Sequence, residues 1–198
     1  DGMLVSPRES CEEKIGIPLP FFSFGSMILI WIAFLYGICI MYGYNKSNLS
    51  WNGPVSPPYE PFIFKTISSY PVGNDQRVEM WRLLSVQFVH GGLGHIIGNT
   101  LCGVMLGGLL EAMTGFFFTL VVFECSIVFG AMSHSCSLPY QGLIGCSHGV
   151  YGWLGALTLC SVYGAISPST KLRDRKWGYR LIACILVLIV CCDIAGNL

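Results

Sequence analysis

Charge is scarce in this chain. Eleven Lys and Arg and eleven Asp and Glu make up only 11% of its 198 residues, and the formal net charge is zero. A neutral, charge-poor chain is not built to follow a phosphate backbone, so nucleic acid drops out as a partner. No Cys-x-x-Cys pair and no Cys/His metal spacing occurs, so neither a metal nor another cofactor is expected. The ten cysteines form no disulfide framework. Seven of them (Cys39, Cys102, Cys125, Cys160, Cys184, Cys191, Cys192) lie in apolar runs, where cysteine behaves as a small hydrophobe.

Apolar residues take the place of charge, at 53% of the chain and a mean hydropathy of +0.62. Five stretches reach or approach the roughly 20 apolar residues that cross a bilayer. They are Phe21–Tyr42, Gly94–Met113, Phe116–Ser133, Gly145–Ile166 and Trp177–Asn197. The first is too long for the apolar core of a cleaved signal peptide. The pattern predicts an all-α, multi-pass membrane bundle, with residues 1–20 as a cytoplasmic tail and residues 21–198 as the membrane domain. Lys171–Arg180 carries five basic residues against one acid between spans four and five, and the positive-inside rule makes it cytoplasmic. The long loop after span one then faces the lumen or the outside, as do the sequons at Asn45 and Asn48, which lie close to that span. The chain begins at Asp1 and stops at Leu198 directly after an apolar run, which reads as a fragment of a longer protein.

Polar groups inside an apolar span are functional candidates. Phe88–Glu111 places His90, His95 and Asn99 in one glycine-dotted run. His95 and Asn99 are four residues apart and share a helix face. Imidazole and carboxamide donors aimed at one point could stabilise an oxyanion; the plain alternative is hydrogen bonding between helices. Ser147 opens the fourth span, where free backbone N–H groups and the helix dipole favour developing negative charge. A simple N-cap is the alternative for that serine. Tyr151 follows at i+4, while Gly145, Gly149, Gly152 and Ala156 form a small stripe suited to close packing. Glu124 and Asp193 are further acids in apolar runs, and the sequence gives Glu124 no role.

The combined motifs resemble those of rhomboid intramembrane serine proteases from about Trp81 to Asp193. Trp81-Arg82 resembles the tryptophan-arginine pair of the large first loop. His90-x4-His95-x3-Asn99 resembles the second-helix signature, with Gly107-Gly108 and Glu111 in the pattern that ends that helix. Gly145-Cys146-Ser147 resembles the nucleophile motif. The resemblance implies Ser147 as nucleophile, with His95, Asn99 and the Ser147 backbone N–H as the oxyanion hole. His90 would tether the first loop, Tyr151 would pack on the catalytic histidine, and Arg82 and Glu111 would hold the first loop and the second helix by hydrogen bonds. It implies transmembrane protein substrates, cleaved near the lumenal or extracellular membrane face, and residence in the secretory pathway or plasma membrane.

Two departures qualify the match. His148 stands where the family motif has glycine, and is expected to crowd the substrate channel. The family's base histidine lies on a sixth helix, beyond Leu198, so these 198 residues alone should not activate Ser147. A catalytically inactive rhomboid-like protein that binds transmembrane clients is the alternative, and both departures favour it. Retention of Ser147, His95, Asn99 and Tyr151 together argues for the protease. A channel has little support, since no inverted repeat is visible. The oligomeric state is not encoded in any feature of the sequence.

Overall fold

The computed structural model describes residues 19–44, 79–138 and 142–166, and these are all helix and connecting turns. Helix α1 is Phe21–Tyr44, α2 is the short Arg82–Ser85, α3 is Leu93–Thr114, α4 is Phe116–Ser137 and α5 is Ser147–Ile166. A 3-10 turn, Val86–Phe88, continues α2. Four of the five predicted spans are thus helices with nearly the predicted limits. The fifth, with the basic segment Lys171–Arg180, the sequons and most of the N-terminal tail, lies outside the described residues.

Apolar side chains face outward. Ile28, Leu101, Met105, Phe117 and Phe129 are all more than half exposed, while Ser23, Gln87, His90, Glu111, Thr119 and Ser161 are buried. Water would expel such a surface; lipid accepts it, and a helix satisfies its own backbone within lipid. α1, α3 and α4 are each long and apolar enough to cross a membrane. α5 packs mainly on α4 and α3, and α1 packs on α3.

Small residues let these helices approach, because packing rather than expulsion from water drives association inside a bilayer. A Cβ on Gly107 of α3 would lie 2.6 Å from the Trp153 ring of α5, which occupies that space instead. Gly149 and Gly152 of α5 give the same room to Phe123 and Ser126 of α4, as the small stripe predicts. Indole N–H groups then find acceptors: Trp153 Nε1 donates to the Thr119 carbonyl at 2.9 Å, and Trp31 Nε1 donates to Thr100 Oγ1 at 2.8 Å. Gly115 alone separates α3 from α4, at φ +87°, a left-handed conformation that glycine adopts without a Cβ clash.

Residues 79–91 form a connector between α1 and α4. Its buried residues are Arg82, Leu83, Val86, Gln87, Val89 and His90. The 3-10 turn touches α1 while α2 touches α4. This connector positions the site described next.

Candidate active site

His95 and Asn99 lie on the first turns of α3, as their spacing requires. The Gly91 backbone N–H donates to His95 Nδ1 at 3.3 Å. With Nδ1 accepting, the neutral ring carries its proton on Nε2. That edge of the ring lies against Gly145: a Cβ there would be 2.9 Å from Nε2 and 2.8 Å from Cε1. The same point is 3.6 Å from Asn99 Nδ2. Gly145 holds φ +104°, so both its backbone and its missing side chain bring the loop before Ser147 onto the two polar residues. Asn99 Nδ2 is buried and has no hydrogen-bond partner among the described residues. A buried amide donor left unpaired is costly, which marks Asn99 as more than packing.

Ser147 is the first residue of α5 and is half-buried. It lines a cavity of about 440 Å³ together with His95, Asn99, Tyr151, Gly94 and Gly98. Nothing among the described residues lies within 4 Å of a Cβ placed on Gly94 or Gly98, so among them this side of α3 is open. The remaining walls, Leu106, Val150 and Leu154 among them, are apolar. The serine hydroxyl, the His95 and Asn99 side chains and the helix start therefore share one space.

The connector supports this loop from behind. The Val86 carbonyl accepts from the Gly145 N–H at 3.1 Å. His90 Nε2 lies 3.5 Å from the buried Cys146 Sγ, and its ring meets that of His95 edge-on at 5.1 Å. Burial, with the charge of His95 second, pushes the His90 pKa down to about 4, so the imidazole is neutral near neutral pH. His90 thus packs the connector against the residues that lead into Ser147. Arg82 is buried, forms an ion pair with Glu79, and places its guanidinium 4.9 Å from the Trp81 ring centroid. Tyr151 borders the cavity and is about half exposed; the helix predicted to carry the base histidine is outside the described residues.

Glu111 makes hydrogen bonds, as expected of it, and among the described residues they run to α1. It lies at the far end of α3, about 24 Å from His95 at 1.5 Å per residue. There its carboxylate accepts from the backbone N–H groups of Phe22 and Ser23 at 3.0 and 2.9 Å, and from Ser23 Oγ at 2.7 Å. It caps α1, where the helix dipole welcomes an anion. One expectation is corrected: His148 does not crowd the Ser147 cavity. Its ring occupies the space over Gly130 of α4 and does not line the Ser147 cavity. One helix residue turns the chain by about 100°, enough to send His148 to the α4 side.

Sequence reasoning missed one pairing. Gln87 Nε2 donates to Glu124 Oε2 at 3.1 Å, joining the connector to α4. The signal was an amide and an acid, each alone in an apolar run, with no means of telling that they meet.

Known proteins match the same region. The rhomboid domain family matches residues 77–197, more than half of the chain. Rhomboid-related protein 2 of Mus musculus is 35% identical over 81 residues, covering 41% of this chain and 27% of that protein. Rhomboid protease GluP of Bacillus subtilis (strain 168) is 31% identical over 109 residues, covering 55% and 20%. Rhomboid-like protease 5 of Toxoplasma gondii is 33% identical over 103 residues, covering 52% and 12%. The chain spans about a quarter or less of the length of these relatives. No solved structure matches it. With the family match covering the connector, α3, α4 and α5, this integral membrane protein belongs to the rhomboid family.

Proposed function

We propose that the protein is an intramembrane serine endopeptidase that cleaves transmembrane protein substrates near the lumenal or extracellular face. Ser147 is the nucleophile in this reading, and its hydroxyl attacks the scissile carbonyl. The proton passes to the histidine that the resemblance assigns to a further helix beyond Leu198. The oxyanion takes hydrogen bonds from His95 Nε2, Asn99 Nδ2 and the Ser147 backbone N–H. Collapse releases the amine and leaves an acyl-enzyme, which water hydrolyses. The open glycine side of α3 leaves room for a substrate segment in an otherwise apolar cavity. His90, Arg82 and Tyr151 support the site, and Glu111 supports the bundle.

The observation that carries this reading is the buried Asn99 donor, without a partner among the described residues, beside Gly145, His95 and Ser147. A purely client-binding protein has no use for that arrangement, and the placement of His148 removes one argument for such a protein. The reading retains residues 1–20 as a cytoplasmic tail, residues 21–198 as membrane domain, and residence in the secretory pathway or plasma membrane. A serine-reactive fluorophosphonate tests it: the full-length protein should label, and Ser147→Ala should not. Undiminished labelling of the alanine variant would show that another serine is the nucleophile.

A further inference from the structure

We propose that Glu124, acting through Gln87, is a positioning residue for the nucleophile loop, an inference that rests on the protease reading. Glu124 lies eight residues into α4 and does not line the Ser147 cavity. It borders a second, smaller cavity of about 220 Å³ between α1, the connector and α4, shared with Gln87, Phe22 and Ser26. A carboxyl group inside a span is expensive and persists where it is used. Its hydrogen bond goes to Gln87 Nε2 at 3.1 Å, and Gln87 is itself 5% exposed.

Gln87 is the middle residue of the 3-10 turn, and the chain on both sides of it bears on the site. Val86, one residue before, accepts the Gly145 N–H at 3.1 Å. His90, three residues after, meets Cys146 Sγ at 3.5 Å. Gly145 and Cys146 lead directly into Ser147. Without the Glu124 acceptor, the buried Gln87 amide must seek another partner, and the turn that carries Val86 and His90 shifts with it. A shift of that kind moves the Ser147 N–H relative to His95 and Asn99, and small misplacements of reacting groups are costly in rate. Ordinary helix-to-connector glue predicts something else, a loss of folded protein with the chemistry of the remainder intact.

The test uses the full-length protein in proteoliposomes, as wild type, Glu124→Leu, Gln87→Leu, the double variant and Glu124→Gln. Three quantities are read: kcat and KM on a membrane-anchored peptide substrate, the thermal midpoint, and the rate of Cys146 alkylation by N-ethylmaleimide, mapped by mass spectrometry. Each leucine variant should lose roughly tenfold in kcat, the equivalent of one hydrogen bond, with KM little changed and the midpoint lowered by the stranded buried partner but not below the assay temperature. The double variant should be no worse than either single one. Glu124→Gln keeps an acceptor for Gln87 and should recover most of the rate. Cys146, fully buried in the wild type, should alkylate faster in the leucine variants and not in Glu124→Gln. Unchanged kcat and unchanged Cys146 protection in Glu124→Leu overturns the proposal, as does additivity in the double variant, a Glu124→Gln defect equal to that of Glu124→Leu, or a rate loss accounted for by a lower midpoint. A wild type that neither cleaves nor labels would end the protease reading, and Cys146 alkylation would then decide the positioning role alone: equal protection in every variant contradicts it.

Discussion

Asn99 keeps a carboxamide donor out of water with no acceptor among the described residues. Removing such a group breaks no hydrogen bond among the described residues. If the donor is reserved for an oxyanion, Asn99→Ala should lower kcat on the order of a hundredfold or more while leaving the thermal midpoint in place. Equal losses in midpoint and rate would instead make Asn99 a structural residue. His148 offers the opposite case. Its ring fills the space over Gly130 and faces away from the cavity. His148→Ala should therefore leave a gap between α4 and α5 and lower the midpoint, while rates on substrates with small and large residues at the cleavage site keep their ratio. A selective gain on large residues would restore the crowding expectation.

Elements are held together by contacts that the sequence names only by half. Glu111 closes α3 and caps α1 through three donors. Glu111→Leu leaves those groups buried and unpaired and should destabilise the bundle by about 3 kcal/mol, whereas Glu111→Gln, which keeps an acceptor, should cost about 1 kcal/mol. Thermal unfolding in detergent separates the two, and equal midpoints would contradict the capping role. The helices themselves were legible because apolar runs of this length have one backbone solution in lipid. So was the break at Gly115, and so was the start of α5 at Ser147. The face shared by His95 and Asn99 followed from a spacing of four. The partners of Glu111, His148 and Glu124 were not legible. Glu111 meets Ser23, 88 residues away in sequence, and no local period encodes which helix end arrives there. The expected crowding by His148 failed for the same reason. Neighbouring residues fix the angle between two side chains and leave open which helix receives the second.

Over the described residues the bundle is apolar outside as well as in its core, with Ser23, Gln87, His90, Glu111, Thr119 and Ser161 buried among the apolar side chains. The polar groups are therefore few and placed at particular points of an apolar frame. Among the described residues the connector enters between α1 and α4, props the loop before Ser147, and leaves the Ser147 cavity open along the glycine side of α3. The central claim is that the protein cleaves membrane-spanning proteins at Ser147. Its most direct test reconstitutes the full-length protein in liposomes with a transmembrane substrate and follows the fragments by mass spectrometry. The account predicts one cleavage site near the lumenal end of the substrate span, present with wild type and absent with Ser147→Ala folded to the same extent. Cleavage that persists in the alanine variant, or a folded wild type that binds the substrate and leaves it whole, would contradict it.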